Sequence, residues 1–365
     1  MTLATTTIPF STIKFIDNIP RLSDLTERLT QKLREIRMDL TNREPQRVAD
    51  GTPESIYDLI TDADTARIRR RAMRYLERLH SSTGVQHLPE RDAALLTPLR
   101  GGLPVARIET EHEADEIAAA LHAEMPWMAP ATEVVWHGLR ASARKELPGL
   151  RFDPLVLVGS PGIGKSFWAR RLAHHLGVPT TSIDATGEPA AFSLVGAQRG
   201  WSSAAPGKLM QTALRERHAG PIVIIDEVEK SGNVQSKQGS RHTLTDALLP
   251  LLERMTAETW ECPYYQIRVD MSWTNWVMTA NSQWGLPAPL ISRCVVLDLP
   301  DLTQAQLQFF VEEQGAKRGL PRLAIDATLE AIERRMAAAG RTPSLRTVSR
   351  MLDRVELMAQ RPVLQ

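Results

Sequence analysis

The chain has 365 residues, 42% hydrophobic and 24% charged, a balance that suits a globular protein of two or three domains and excludes a disordered or fibrous one. Lysine and arginine number 44 against 43 acidic residues, so the net charge of +1 gives no global pull toward nucleic acid or a membrane surface. Cys262 and Cys294 stand in no metal spacing, no run reaches membrane-span length, and residues 1–17 lack the charged start and apolar core of a signal peptide, so the expected location is the reducing cytoplasm.

The text from Met1 to about Pro20 is threonine-rich and reads as extended or disordered. Leu22, Leu25, Leu29, Leu33, Ile36 and Leu40 then recur at helical steps, predicting a helix that is either a coiled-coil or partner-docking helix or, as favoured here, one amphipathic helix of a small N-terminal bundle. Asp50 to Pro53 is a break. A second helix is expected from Pro53 to about His80, carrying Arg67, Arg69, Arg70, Arg71, Arg74 and Arg78. Two readings stay open for that run. One is a nucleic-acid face; the other, favoured here, is a solvated face neutralised by Asp58, Asp62, Asp64 and Glu77. Ser81 to Pro104 reads as a linker with a short helix inside. Glu109 to Glu124 is an acidic helix, Met125 to Pro130 breaks it, and Thr132 to Glu146 is a helix with Val135, Leu139 and Ala143 on one stripe.

Leu155 to Val158 is a short apolar strand, followed by Gly159-Ser160-Pro161-Gly162-Ile163-Gly164-Lys165-Ser166. This fits the phosphate-loop pattern Gly-x4-Gly-Lys-Ser. Its glycines let successive N–H groups curl around phosphate oxygens, and the helix expected behind it (Phe167 to Leu176) adds its positive dipole end. Lys165 is expected to reach the β- and γ-phosphates of ATP, and Ser166 to ligate Mg²⁺. A second apolar run, Ile222 to Ile225, ends in Asp226 and Glu227. Asp226 supplies a hard oxygen for the Mg²⁺ shell and Glu227 a general base for water.

Around these motifs strands and helices alternate, the pattern of a doubly wound α/β layer. Further strands are expected at Pro179–Ile183, Tyr265–Val269, Asn275–Asn281 and Val295–Leu299, with helices at Lys208–Arg217 and Thr243–Met255 and a mobile polar loop at Ser231–His242. After Pro300 the chain turns helical: Thr303–Arg318, Asp326–Ala339 and Ser344–Gln360. Trp260, Trp273, Trp276 and Trp284 are expected to pack rather than bind, and His174-His175 has no acid or cysteine at metal-ligand spacing.

From about Val156 to Gln360 the chain resembles the AAA+ ATPases, and within them the ATPase module of Lon proteases. Three segments carry the likeness. Gly200-Trp-Ser-Ser-Ala-Ala-Pro-Gly-Lys208 resembles the Lon pore segment. Tyr265-Gln-Ile-Arg-Val-Asp270 followed by Val277-Met-Thr-Ala-Asn281 resembles the strands leading to the sensor-1 asparagine. Leu286-Pro-Ala-Pro-Leu-Ile-Ser-Arg293 is similar to the stretch ending in the arginine finger. The resemblance implies an AAA+ parallel sheet flanked by helices (151–300), a helical lid (301–365), a helical linker (105–150) and an N-terminal helical region (1–104). It also implies roles. Asn281 positions the hydrolytic water, Arg293 reaches a neighbour's γ-phosphate, Arg346 is the sensor-2 arginine in place of nearby Arg341 or Arg350, and Trp201 grips a protein substrate in a central pore. Ser202 and Ser203 depart from the aliphatic residue and glycine of the Lon pattern.

The resemblance further implies ATP, ADP and Mg²⁺ as cofactors and a homo-oligomeric ring, a hexamer, as the assembly. Lon carries a serine–lysine peptidase after this module; here the sequence ends at Gln365, and proteolysis is expected to need a separate partner chain. Two other functions stay open: a nucleic-acid-dependent AAA+ motor, and a nucleotide-switched scaffold or defence sensor with slow turnover.

Overall fold

The computed structural model describes residues 3–43, 60–187, 190–200, 204–230, 243–339 and 342–359. Trp201, the Ser231–His242 loop and Arg341 lie outside the described residues. The chain divides into two compact units, Thr12–Arg100 and Met1–Ser11 with Gly101–Gln365.

The larger unit opens with a strand where disorder was one expectation: β1 (Ala4–Ile8) pairs antiparallel with a strand at Leu103–Arg107. Gly102 makes the close approach feasible. Its φ is +92°, and a Cβ there would lie 2.1 Å from the Ile8 carbonyl oxygen. The linker expected over Ser81–Pro104 is thus corrected, because its end is ladder-bonded backbone.

The smaller unit holds α1 (Leu22–Arg43), α2 (Asp62–Thr83) and α3 (Glu90–Leu95). α2 begins at a capping box, in which Thr61 and Asp64 satisfy each other's backbone N–H groups, and ends on Gly84 in the left-handed conformation. α1 and α2 pack together, and Arg37 reaches Asp64 at 2.7 Å. That guanidinium, with Thr61, holds the Asp64 carboxyl well below the usual carboxylate range.

After β2 (Leu103–Arg107) come α4 (Glu111–Glu124) and α5 (Ala129–Arg144), which pack on each other across the short turn Pro126–Met128. The core layer then follows: β3 (Leu155–Val158), α6 (Lys165–Leu176), β4 (Thr180–Asp184), α7 (Ala190–Val195), α8 (Lys208–Glu216), β5 (Ile222–Asp226), α9 (Leu244–Leu252) and α10 (Arg254–Ala257). β6 (Trp260–Glu261) and β7 (Arg268–Val269) make a separate antiparallel ribbon. The strand expected over Tyr265–Val269 shrinks to its last two residues because the chain turns at Gln266, whose φ is +51°. β8 (Asn275–Ala280), α11 (Ala288–Ile291) and β9 (Val295–Asp298) complete the layer; α12 (Gln304–Lys317), α13 (Arg322–Ala339) and α14 (Leu345–Ala359) form the C-terminal helical part.

The sheet is five-stranded and parallel, in the order β4-β5-β8-β3-β9. Its central strands are continuous apolar runs because both faces are covered: every residue of β3 and β8 is buried. Leu155, Leu157, Ile222, Ile224 and Val277 share one core with Trp168 and Leu172 of α6, with α4 and α5, and with Leu307, Ile332 and Leu352 of the last three helices. The C-terminal helices therefore stand on the same side of the sheet as α6, beside the loop that opens it.

Candidate nucleotide site

β3 ends buried at Val158 and the chain leaves the sheet through Gly159 to Gly164. Gly162 (φ +85°) and Gly164 (φ +102°) adopt the left-handed region, so the loop can curl and hand over to α6 at Lys165. Both glycines also lack the room for a side chain. A Cβ on Gly162 would lie 2.6 Å from Ser344 Cβ, and one on Gly164 would lie 2.7 Å from Met125 Cε.

Two distant elements bind the loop from outside. Leu345, at the start of α14, donates its backbone N–H to the Gly162 carbonyl at 2.9 Å. Trp127 donates its indole N–H to the Ile163 carbonyl at 3.0 Å and sets its ring edge-on to Phe310 of α12. Sequence reasoning treated Met125–Pro130 as a mere break; its proline-flanked tryptophan ahead of a phosphate loop was the available signal.

Lys165 is buried, and its ammonium donates to the carbonyls of Gly159 (2.5 Å) and Ser160 (3.1 Å) and to Asn281 Oδ1 (3.3 Å). Burial lowers its proton affinity, and the nearby Glu229, Asp226 and Glu227 act against that. Ser166 donates its hydroxyl to Asp226 Oδ1, and Thr279 Oγ1 donates to the same oxygen at 3.1 Å. Parallel pairing of β5 with β8 brings this about by placing Ile225 level with Met278, just ahead of Asp226 and Thr279.

Glu227 follows β5 with φ +58°, a left-handed backbone on a non-glycine residue. That conformation costs roughly 1–2 kcal/mol and is kept where surroundings over-determine it. Here its N–H donates to Thr279 Oγ1 (3.3 Å), Asn281 Nδ2 donates to its Oε1 (3.3 Å), and Lys230 Nζ pairs with its Oε2 (2.6 Å). Glu229, missed from sequence, accepts the Asn281 backbone N–H at 3.0 Å while its other carboxylate oxygen is buried without a partner. Acidic residues just past an apolar-Asp-Glu strand were the only hint.

The structure thus brings together Gly159 to Ser166, Asp226, Glu227 and Asn281. It holds Arg293 elsewhere, donating to the Pro289 carbonyl at 3.1 Å and paired with Glu253 at 3.5 Å, with its Nε buried and unpartnered. Arg346 is exposed in the first turn of α14, next to the residue that binds the loop. Trp260, Trp273 and Trp276 are buried as expected, whereas Trp284 is 90% exposed; it sits in the loop after β8, where Gly285 at φ +93° turns the chain outward, so the packing expectation fails there. His175 Nε2 lies 3.0 Å from Glu124 Oε1, and Glu124 also takes both guanidinium donors of Arg171, tying α6 to α4. Burial raises both thiols, Cys294 to about 12, so neither is a nucleophile at neutral pH.

A strand, a glycine loop closing on a lysine-led helix, and an aspartate on the next strand but one define a P-loop nucleotide-binding domain of AAA+ type, with its parallel sheet and helical lid. Residues 155–299 match the family model described as ATPase family associated with various cellular activities (AAA). The chain is 28% identical over 215 residues to Lon protease homolog 2, peroxisomal, of Pichia angusta, covering 57% of this chain and 23% of that protein. It is 27% identical over 241 residues to the Lon protease of Nitratidesulfovibrio vulgaris, covering 64% and 28%. Against Lon protease homolog 2, peroxisomal, of Oryza sativa subsp. indica it is 30% identical over 162 residues, covering 44% and 18%. The chain carries an AAA-family ATPase domain that resembles the ATPase module of Lon proteases, and it spans about a quarter of the length of the first two relatives. No helix among the described residues is long and apolar enough to cross a membrane.

Proposed function

We propose that this protein is a cytoplasmic, Mg²⁺-dependent ATPase that works as a homohexameric ring to remodel or thread a protein substrate. The observation that carries the ATPase reading is the convergence of Lys165, Ser166, Asp226, Glu227 and Asn281 at one end of three adjacent strands. The donor set fits magnesium: a hydroxyl and a carboxylate, hard oxygens already within hydrogen-bond reach of each other. The ion, when held by Ser166 and Asp226, supplies charge neutralisation at the phosphates.

The chain's own residues supply the rest. Backbone N–H groups along Gly159 to Ser166, those of Ser160 and Ile163 included, wrap the phosphates while Pro161, which has no N–H, only shapes the turn, and Lys165 exchanges its two carbonyl acceptors for phosphate oxygens. Water attacks the γ-phosphorus, the bond to the bridging oxygen breaks, and Glu227 takes the water proton while Asn281 fixes its carboxylate. Glu227 is free to do so once Lys230 releases it. Arg293 completes a neighbour's site, Arg346 senses nucleotide from the lid, and Trp201 grips substrate. The divisions at 105, 151 and 301 are part of the same proposal.

The experiment is Glu227→Gln, which keeps shape and hydrogen bonding but accepts no proton. It should bind ATP with unchanged affinity, hydrolyse it on the order of 10²-fold more slowly and accumulate as an ATP-loaded oligomer by size-exclusion chromatography. Normal turnover in this variant removes the assignment.

A further inference from the structure

The arginine run of α2 is a solvated, neutralised face or a phosphate-binding one, and its surroundings separate the two. At about 100° per residue, Arg67, Arg70, Arg71, Arg74 and Arg78 fall within one arc of the helix about 100° wide. Arg69 falls outside it. Ile68 and Ala72 occupy a neighbouring arc and are buried, so that arc is not open to a partner. All five arginines are exposed.

The neutralising acids are not there. Asp64 is committed to Arg37, and Asp58 lies outside the described residues. Asp62 starts the helix on the far side from the arc, and Glu77, on the arc's flank, makes no ion pair with any of the five. Arg70 donates its Nε to the Ala66 carbonyl at 3.3 Å; the other four have no polar partner among the described residues.

We propose that this face of α2 is a docking surface for the sugar–phosphate backbone of duplex DNA. The inference stands apart from the ATPase assignment and would survive its failure. Arg67 to Arg78 covers about 16 Å at 1.5 Å rise per residue. Duplex DNA carries one phosphate charge per about 1.7 Å of its axis, so a stretch as long as this row presents roughly nine phosphates, more than the five guanidinium groups need. A rigid row of fixed charges suits a rigid rod better than a flexible strand. Guanidinium forks pair with phosphate oxygens in bidentate geometry, which the all-arginine composition favours over lysine. A membrane surface is a poorer occupant, since an interfacial helix needs a continuous apolar face to insert; on α2 Ile68 and Ala72 are buried, and the exposed Met73 and Tyr75 stand about 160° apart around the helix. Recognition here is of phosphate, not of base sequence.

The test is fluorescence anisotropy of a labelled 20-base-pair duplex with the full-length protein across 50 to 300 mM salt. Four or five phosphate contacts predict a log–log slope of about −4. Replacing Arg67, Arg71, Arg74 and Arg78 together by glutamine should abolish binding at 100 mM salt, and each single replacement should reduce the slope by about one. The fourfold lysine variant keeps charge and helix, and should retain the slope with weaker affinity; it guards against misreading an unfolded glutamine variant. ATP hydrolysis without DNA should be unchanged in all of them. The proposal is overturned if wild type fails to bind duplex at 50 mM salt, if the fourfold glutamine variant binds as wild type does while helical by circular dichroism, if the fourfold lysine variant loses the slope, or if single-stranded DNA, RNA or poly-glutamate binds more tightly than duplex.

Discussion

Two buried titratable groups show how the fold sets ionisation residue by residue. Lys165 is charged although buried, because two carbonyls and Asn281 accept from it and three carboxylates lie close by. His218, between α8 and β5, has no such help. It accepts the Gly220 N–H on Nδ1 at 3.1 Å, and burial lowers its pKa from 6.5 to about 4. The neutral ring is the one that accepts, so protonation favours the unfolded chain. Folded-state stability is fully present above the unfolded pKa of about 6.5 and falls as pH drops toward 4, where the folded form also protonates. The gap of about 2.5 pH units is worth about 3 kcal/mol. Urea denaturation between pH 7 and 4.5 should therefore show a decline that His218→Asn, which keeps an acceptor near the Nδ1 position, flattens. An unchanged slope in that variant would assign the decline to other groups.

Among elements, the phosphate loop is more than a pattern of glycines. Gly162 lies against the Ser344 side chain and its carbonyl accepts the Leu345 N–H, so loop and lid meet with no room for a Cβ between them. Gly162→Ala places a Cβ in a left-handed residue and against that helix start, so it should weaken ATP binding at least about tenfold by displacing α14, at a cost of roughly 1–2 kcal/mol in stability. Gly187→Ala is the control: its Cβ would meet only the Asp184 carbonyl, at 3.6 Å. Isothermal titration of ATP distinguishes the two; equal affinity in both refutes the contact's importance.

The same loop shows what the sequence could and could not reveal. Lys165, Ser166, Asp226 and Glu227 were legible because local chemistry demands them in order along a strand, a turn and a helix. Asn281 was legible only through family likeness, and the role proposed for Arg293 rests on that likeness alone. Trp127 and Glu229 were not legible, because what they do depends on bringing Ile163 and the Asn281 backbone to them through space. The β1–β2 pair escaped for another reason: its threonines alternate between half-buried and exposed positions and offer no apolar period, and the pairing joins residues about a hundred positions apart. In α2 the helix was legible but its charge balance was not, since the acids close in sequence point elsewhere.

At the scale of the whole molecule, the question is whether one chain makes a complete site. Within this chain Lys165 is the cation that meets the loop carbonyls, and Arg293, on the segment after α11, is anchored to Pro289 and Glu253 instead. Its buried, unpartnered Nε shows that this anchoring leaves part of the guanidinium unsatisfied. An arginine poised this way can serve a second copy's γ-phosphate, where charge grows in the transition state. Arg293→Ala should then bind ATP normally and hydrolyse it on the order of 10²-fold more slowly. Lys165→Ala should fail at binding. Neither should work alone, but in the proposed ring a mixed assembly would pair the intact loop of the first with the intact arginine of the second. Steady-state hydrolysis on mixing the two inactive proteins should rise well above the sum of the parts, and should peak near equal proportions. An arginine acting in its own chain's site would give no recovery at any ratio, and a monomeric wild type hydrolysing ATP at a specific rate independent of protein concentration would mean the same.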